Sequence, residues 1–326
     1  MIITGEIRAW WADRDAHRRA REAADALALR WADGPVHQRF SREMAELPMP
    51  SAEAVASAVA ALFADGDWID LLLGELAEAM RQDPFFEPPF RHINSDVHRG
   101  LVLYEDDLVS IAVGVTSQIE LAAKKTGLRG RTSVHFSGQV EVAKFVKAGD
   151  ARLGLWEAPP IMPTFGAATA GRCARRGERR LADGDTLIVD GRRESFVIEH
   201  AASNLLVLQA TAKPDRAPVS VEYDSQSCEY IGCSAADDSA SRIQMITTLL
   251  RKLGSQAAFP AIAEFLEHPS FFVRWHVMRE LLGIDAGAAL PQLKRMAARD
   301  AHPENRRAAR QVLDRLETEW LRREAC

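Results

Sequence analysis

Two stretches carry side chains that could do chemistry. Residues 134–149, VHFSGQVEVAKFVKAG, hold His135, Ser137 and Glu141, and residues 184–200, GDTLIVDGRRESFVIEH, hold Glu194 and His200. In an extended chain, residues two apart share a face. His135, Ser137, Gln139, Glu141 and Ala143 therefore line one side of a strand, with Val134, Phe136, Val140 and Val142 on the other. An imidazole, a hydroxyl and a carboxylate in one line suit the wall of a ligand pocket. His200 shares parity with Glu194, but the intervening residues at about 3.3 Å each put it about 20 Å away, outside one coordination sphere. A separate cluster, FRHINSDVHRG, offers His92, Asp96 and His98. Two imidazoles and a carboxylate are the donor types of the facial triad that holds non-haem Fe(II). His92 and His98 are also candidate general acids or bases. The run GRCARRGERR gathers Arg172, Arg175, Arg176, Arg179 and Arg180. It reads as a solvated loop or, through its guanidinium forks, as a contact for an anion or acidic peptide.

Other reactive groupings are weaker. Cys228 and Cys233 in SCEYIGC have neither a second cysteine pair nor a nearby histidine, whereas a closed zinc site takes four ligands. Ser137 and Ser195 lack the strand–turn–helix elbow of a nucleophilic serine. Four cysteines (Cys173, Cys228, Cys233 and Cys326) in 326 residues are too sparse for a disulfide framework. The cysteine usage and the lack of a leader-like start imply a reduced, cytoplasmic protein. A net charge of −5 argues against nucleic acid as partner, and no apolar run approaches the length of a membrane helix.

The pattern changes twice along the chain, which implies an α+β multidomain protein. Residues 1–95 are a helical N-terminal segment, in which Ser51 is the N-cap of SAEAVASAVAALFA, Glu53 adds charge to its first turn, and the prolines of DPFFEPPF end the helices. Residues 96–236 switch to a period of two. Runs such as LVLYEDD, LVSIAVGV, DTLIVDG, NLLVLQATA and VSVEYD, separated by turn signals, predict about eight strands in an antiparallel sandwich or barrel. Residues 237–326 return to helix and repeat themselves. Pro260 recurs as Pro291, His268-Pro269 as His302-Pro303 and Arg274 as Arg307, at spacings of 31, 34 and 33 residues, the range of helical-hairpin repeats. Each proline is expected in the first turn of a helix. His268 and His302 are expected in turns and His276 on a helix face. The helix SRIQMITTLLRKLG, apolar at Ile243, Ile246, Leu250 and Leu253, leads the stack.

HPSFFVR and, less fully, HPENRRA resemble the turn of HEAT repeats, which implies a short helical platform for a protein or peptide partner. The strands resemble a cupin β-barrel. Gly130, His135, Ser137, Glu141 and Gly149 follow the first cupin motif with a serine for the second histidine. Gly184, Asp185, Asp190, Gly191 and Glu194 follow the second, with Glu194 near the metal histidine. The resemblance implies a ligand pocket lined by His135, Ser137, Glu141 and Glu194. It makes His135, Glu141 and Glu194 candidate ligands of Fe(II) or another divalent metal. The expected function is protein or peptide binding with a cupin-like pocket. The alternative is a metal-dependent oxygenase or isomerase acting on a peptide held by the repeats.

Overall fold

The computed structural model describes residues 5–83, 85–127, 132–236 and 238–324; Gly130 and Cys326 lie outside the described residues. Five helices come first: α1 (Gly5–Ala12), α2 (Arg14–Ala32), α3 (Pro35–Ala45), α4 (Ala52–Ala64) and α5 (Asp67–Gln82). Strands β1 (Arg91–Asn94), β2 (His98–Glu105) and β3 (Val109–Thr116) lead to helix α6 (Gln118–Gly127). Then follow β4 (Ser133–Phe136), β5 (Val140–Lys147), β6 (Arg152–Glu157), β7 (Ala174–Arg180), β8 (Thr186–Asp190) and β9 (Glu194–His200). Strands β10 (Leu205–Ala212), β11 (Val219–Asp224) and β12 (Tyr230–Ala235) complete the sheets. The chain ends in helices α7 (Asp238–Lys252), α8 (Phe259–Ala263), α9 (Phe271–Ile284), α10 (Ala286–Arg299) and α11 (Pro303–Glu324).

The strands form one six-stranded sheet, β1-β2-β3-β10-β5-β8, and two three-stranded sheets, β12-β11-β4 and β7-β6-β9. Among the described residues they do not close into a barrel, which corrects the barrel expectation. Two compact units result. One comprises residues up to 132, 139–157 and 175–216; the other comprises 133–138, 158–174 and the chain from 217 on. The first helices thus share a unit with most of the strands.

In the first unit the six-stranded sheet is covered on both faces. Leu27, Phe40, Val55, Val59, Phe63 and Leu72 from the helices pack on Leu103, Ile111, Val142 and Leu208. On the other face Phe145, Leu187 and Leu205 meet Leu153 of β6, with Leu155, Phe196 and Ile198 packed alongside. That facing sheet buries the apolar side without closure. Central strands β3 and β10 accordingly read as near-continuous apolar runs. Ser51 caps α4 as expected, its hydroxyl accepting from the Ala54 amide at 3.2 Å. The Trp31 indole donates to the Leu103 carbonyl at 2.8 Å, pinning α2 to β2.

In the second unit α7–α11 pack around Ile262, Val273, Val277, Met278, Leu281 and Leu293. Gly254 ends α7 with φ 68°, a conformation that favours glycine. Pro260 sits in the first turn of α8, but Pro291 lies inside α10, because Asp285 caps that helix several residues earlier. Both histidine–proline turns work alike: His268 Nδ1 accepts from the Ser270 amide at 3.0 Å, and His302 Nδ1 from the Glu304 amide at 3.3 Å. Arg274 donates to the His268 and Pro269 carbonyls, at 2.8 and 2.9 Å. Arg306, not Arg307, makes the matching pair with Asp300 and Ala301 at 2.5 and 3.0 Å. The arginine repeat is one residue earlier than its sequence spacing implies.

Candidate functional site

Glu141 shares its face of β5 with Ala143 and Phe145, so strand parity predicts this side correctly. What covers it is apolar. Phe145, Leu153, Leu187, Leu205 and Val207 are each buried there, and the space proposed for a polar pocket is a hydrophobic core. Glu141 remains at its margin, accepting from Gln209 Nε2 at 3.3 Å. Glu194, at the start of β9, accepts from the Asp190 amide at 3.4 Å and lies 3.7 Å from Arg193.

His135 and Ser137 belong to the second unit, whereas Glu141 and Glu194 belong to the first. His135 projects from the exposed side of β4 beside Glu222, its register partner on β11, with Nδ1 3.8 Å from the carboxylate. Ser137 occupies the turn after β4. Among the described residues no group of three or more His, Cys, Asp or Glu is placed to hold a metal ion. His135, Glu141 and Glu194 therefore do not fit Fe(II) or another divalent metal.

The His92–Asp96–His98 cluster is also dispersed. His92 opposes Leu101 across the β1–β2 ladder, on the side of Leu101, whereas His98 on β2 has the opposite parity. Asp96 stands in the intervening turn, 3.4 Å from Lys124 Nζ. His92 is exposed and lines a shallow cleft of about 360 Å³ with Asn94, Arg99, Leu101, Val115 and Leu206. His98 lies over the opposed glycines Gly100 and Gly114; a Cβ on Gly114 would fall 2.4 Å from its ring. Its Nδ1 pairs with Thr116 Oγ1 at 3.2 Å, and burial pushes its pKa below the usual histidine value. A half-buried imidazole on a hydroxyl can relay a proton.

The arginine run is a strand. In β7, Arg175 binds Glu199 at 2.8 Å and Glu178 at 2.7 Å, and Arg176 meets Glu157 at 2.5 Å. Arg179 lies 3.4 Å from Asp185, and Arg180 pairs with Asp150 at 2.6 Å. Arg172 donates to the Ser227 carbonyl. The four arginines of β7 sit on carboxylates of their own and neighbouring segments and blunt an exposed edge strand.

The repeat helices hold a feature the sequence reading missed. Ile243 and Leu250 pack on the helical core as expected, but Ile246 is 56 % exposed and Leu253 70 %. Met245 and Leu249 extend this outer stripe along α7, at 66 % and 55 % exposure. Gln244, Met245, Thr248, Leu249, Lys252 and His276 line a groove of about 460 Å³ beside it. His276 fixes the groove wall: its Nε2 lies 2.9 Å from Thr248 Oγ1 and 3.0 Å from the Gln244 carbonyl. Burial, opposed by Glu280, holds its pKa below the usual value. The signal was present as a second apolar stripe, since a helix with one buried face needs only one.

Residues 232–314 match the family model of HEAT repeats. Solved structures similar to part of the chain include ectoine synthase from P. lautus, with 12 % identity over 38 % of this chain and 69 % of that one, at a TM-score of 0.23. A cupin domain from Bordetella pertussis Tohama I matches at 14 % identity over 37 % of this chain and 98 % of that one, with a TM-score of 0.22. An RmlC-like cupin from Shewanella frigidimarina NCIMB 400 matches at 8 % identity over 38 % and 84 %, with a TM-score of 0.22. No curated protein sequence matches. The C-terminal helices carry a HEAT repeat, and the β portion is similar to cupin domains.

Proposed function

We propose that this protein binds a protein partner through the outer face of α7, taking an acidic amphipathic helix as the bound segment. The observation that carries the reading is the stripe of Met245, Ile246 and Leu249 on the 15-residue α7, continued by Leu253 just past its end, each more than half exposed. Exposed apolar side chains clustered in this way mark binding surfaces, and helix-in-groove recognition uses such spacing. Charge selects the partner's sign: after Asp238 at its start, α7 has no acidic residue and carries Arg242, Lys252 and Arg251, the last paired with Glu280. Arg242 and Lys252 are exposed beside the stripe. A metal-dependent reaction draws no support from a core filled with Phe145, Leu153 and Leu205.

The test uses two labelled helical peptides with the same leucine face, one flanked by glutamates and one by lysines, titrated by fluorescence anisotropy. The acidic peptide should bind the full chain and lose at least roughly tenfold in affinity, about 1.4 kcal/mol, with Leu249→Asp. Equal binding of both peptides, or equal binding to wild type and variant, would refute the reading.

A further inference from the structure

We propose that Cys173 and Cys228 form a redox-active pair that closes into a disulfide when it meets a peroxide or a small-molecule disulfide. Both belong to the second unit. Arg172 and Glu229 form an isolated antiparallel bridge, so the next residues in register, Cys173 and Cys228, stand directly opposite. The Cys173 amide donates to the Cys228 carbonyl at 3.0 Å. Directly opposed residues of antiparallel strands have Cα atoms about 4.5–5.5 Å apart, inside the roughly 4.4–6.8 Å a disulfide spans. The two thiols are already in hydrogen-bond contact and unbridged.

Their surroundings differ. Cys173 is 4 % exposed, whereas Cys228 is half-buried at the end of the β11–β12 turn. Cys228 has φ 60°, a left-handed conformation that glycine would adopt more cheaply, and its amide donates to the Asp224 carbonyl at 2.8 Å. The Arg172 guanidinium on the Ser227 carbonyl holds the two segments together at this point. Neither the helical repeat nor the proposed docking face uses these cysteines.

Oxidation starts at the more accessible sulfur. The Cys228 thiolate attacks peroxide; an S–O bond forms, the O–O bond breaks, and hydroxide leaves to become water. The Cys173 thiolate then attacks the Cys228 sulfenic acid; the S–S bond forms, the S–O bond breaks, and a second water leaves. Two thiols and one peroxide give one disulfide and two waters. With glutathione disulfide the same pair exchanges through a mixed disulfide and releases two molecules of glutathione. Burial, then the adjacent Cys228 and Asp224, push the Cys173 thiol up to about 12. Cys173 therefore holds its proton at neutral pH, and closure accelerates with alkalinity as its thiolate forms.

The test treats the reduced full-length protein with hydrogen peroxide, or with glutathione disulfide, at pH 7, 8 and 9. Free thiols are then trapped with iodoacetamide and the peptides mapped by mass spectrometry. A monomer two hydrogens lighter, with a Cys173–Cys228 cross-link that dithiothreitol reverses, is expected. Its rate should rise roughly tenfold per pH unit, as the Cys173 thiolate fraction does well below its raised pKa. Cys233→Ser should leave closure unchanged. Cys228→Gly, which suits the left-handed backbone, should abolish closure while keeping the wild-type circular dichroism. Complete alkylation of Cys173 and Cys228 after oxidant at pH 9, or cross-links running only through Cys233 or Cys326, would overturn the proposal.

Discussion

Asp300 joins α9 to the turn before α11. Its carboxylate accepts from Arg274 Nε at 2.9 Å and Nη2 at 2.8 Å, from the His302 amide at 2.8 Å and from Asn305 Nδ2 at 3.2 Å. The Arg274 and Asp300 side chains are only 11 % and 4 % exposed. Asp300→Ala therefore strands a buried guanidinium, which costs about 3–5 kcal/mol. Arg274 keeps its bonds to the His268 and Pro269 carbonyls, so the low end, about 3 kcal/mol, applies. A chain with two compact units need not unfold in one step, so the readout should be local. Amide hydrogen exchange in α9, α10 and α11 should accelerate by more than about a hundredfold, while exchange in β3 and β10 stays unchanged. Arg274→Leu combined with Asp300→Leu should recover much of the loss, because no buried charge remains. Acceleration of less than about threefold in the single variant would show that the pair does not hold the repeat, and the reasoning would fail. The pH dependence has a definite sign. Burial raises the Asp300 carboxyl, but Arg274, the His302 amide and Asn305 outweigh it and lower its pKa. Its contribution is thus present above the ordinary carboxyl pKa of about 3.9 and is lost as pH falls through the lower folded value.

Other outcomes follow from the same geometry. Phe145→Ala, at a side chain 1 % exposed between two sheets, should cost about 3–5 kcal/mol in urea unfolding of the first unit. Tyr223→Phe removes the 2.6 Å hydrogen bond to the Ala170 carbonyl and should cost about 0.5–1.5 kcal/mol in urea unfolding of the second unit. His98 is held neutral by burial, so it adds stability above about pH 6.5 that is lost as pH falls towards its lowered folded pKa; NMR titration of its ring should give a midpoint below that of a free histidine. Protein purified without a histidine tag should carry no stoichiometric metal by mass spectrometry, and Glu141→Ala should leave that result unchanged.

The alternating runs named in the sequence all became strands, and VHFSGQVEVAKFVKAG divides into β4 and β5 at the Gly138 turn. Three strands were not legible. β7 is ARRGERR, exposed along nearly its whole length, so its side chains carry no burial period. It is a strand through main-chain pairing with β6, and its charges read as solvent. β1 and β12 are short edge strands with one neighbour each, and they likewise lack an apolar alternation. The repeats were legible because proline and histidine act locally: each histidine caps the following turn through its own Nδ1. The site was less legible because parity says which residues share a face, not what lies across it. Glu141 and Phe145 share a face of β5, and the polar reading followed the glutamate while the structure followed the phenylalanine.

That outcome bears on where function can sit. A sheet covered by helices on one face and by a second sheet on the other has few side chains left for a ligand, and here both cores are apolar. The same packing that makes β3 and β10 stable removes the polar interior a metal would need. α7 follows the opposite logic. Ala240, Ile243 and Leu250 seat it on its neighbours, and Met245, Ile246, Leu249 and Leu253 lie outside that core. Replacing Leu249 by aspartate should therefore leave the fold's stability within about 0.5 kcal/mol of wild type while removing peptide binding. A large loss of stability would mean the stripe is structural, and the docking face would have to be sought elsewhere on the repeat.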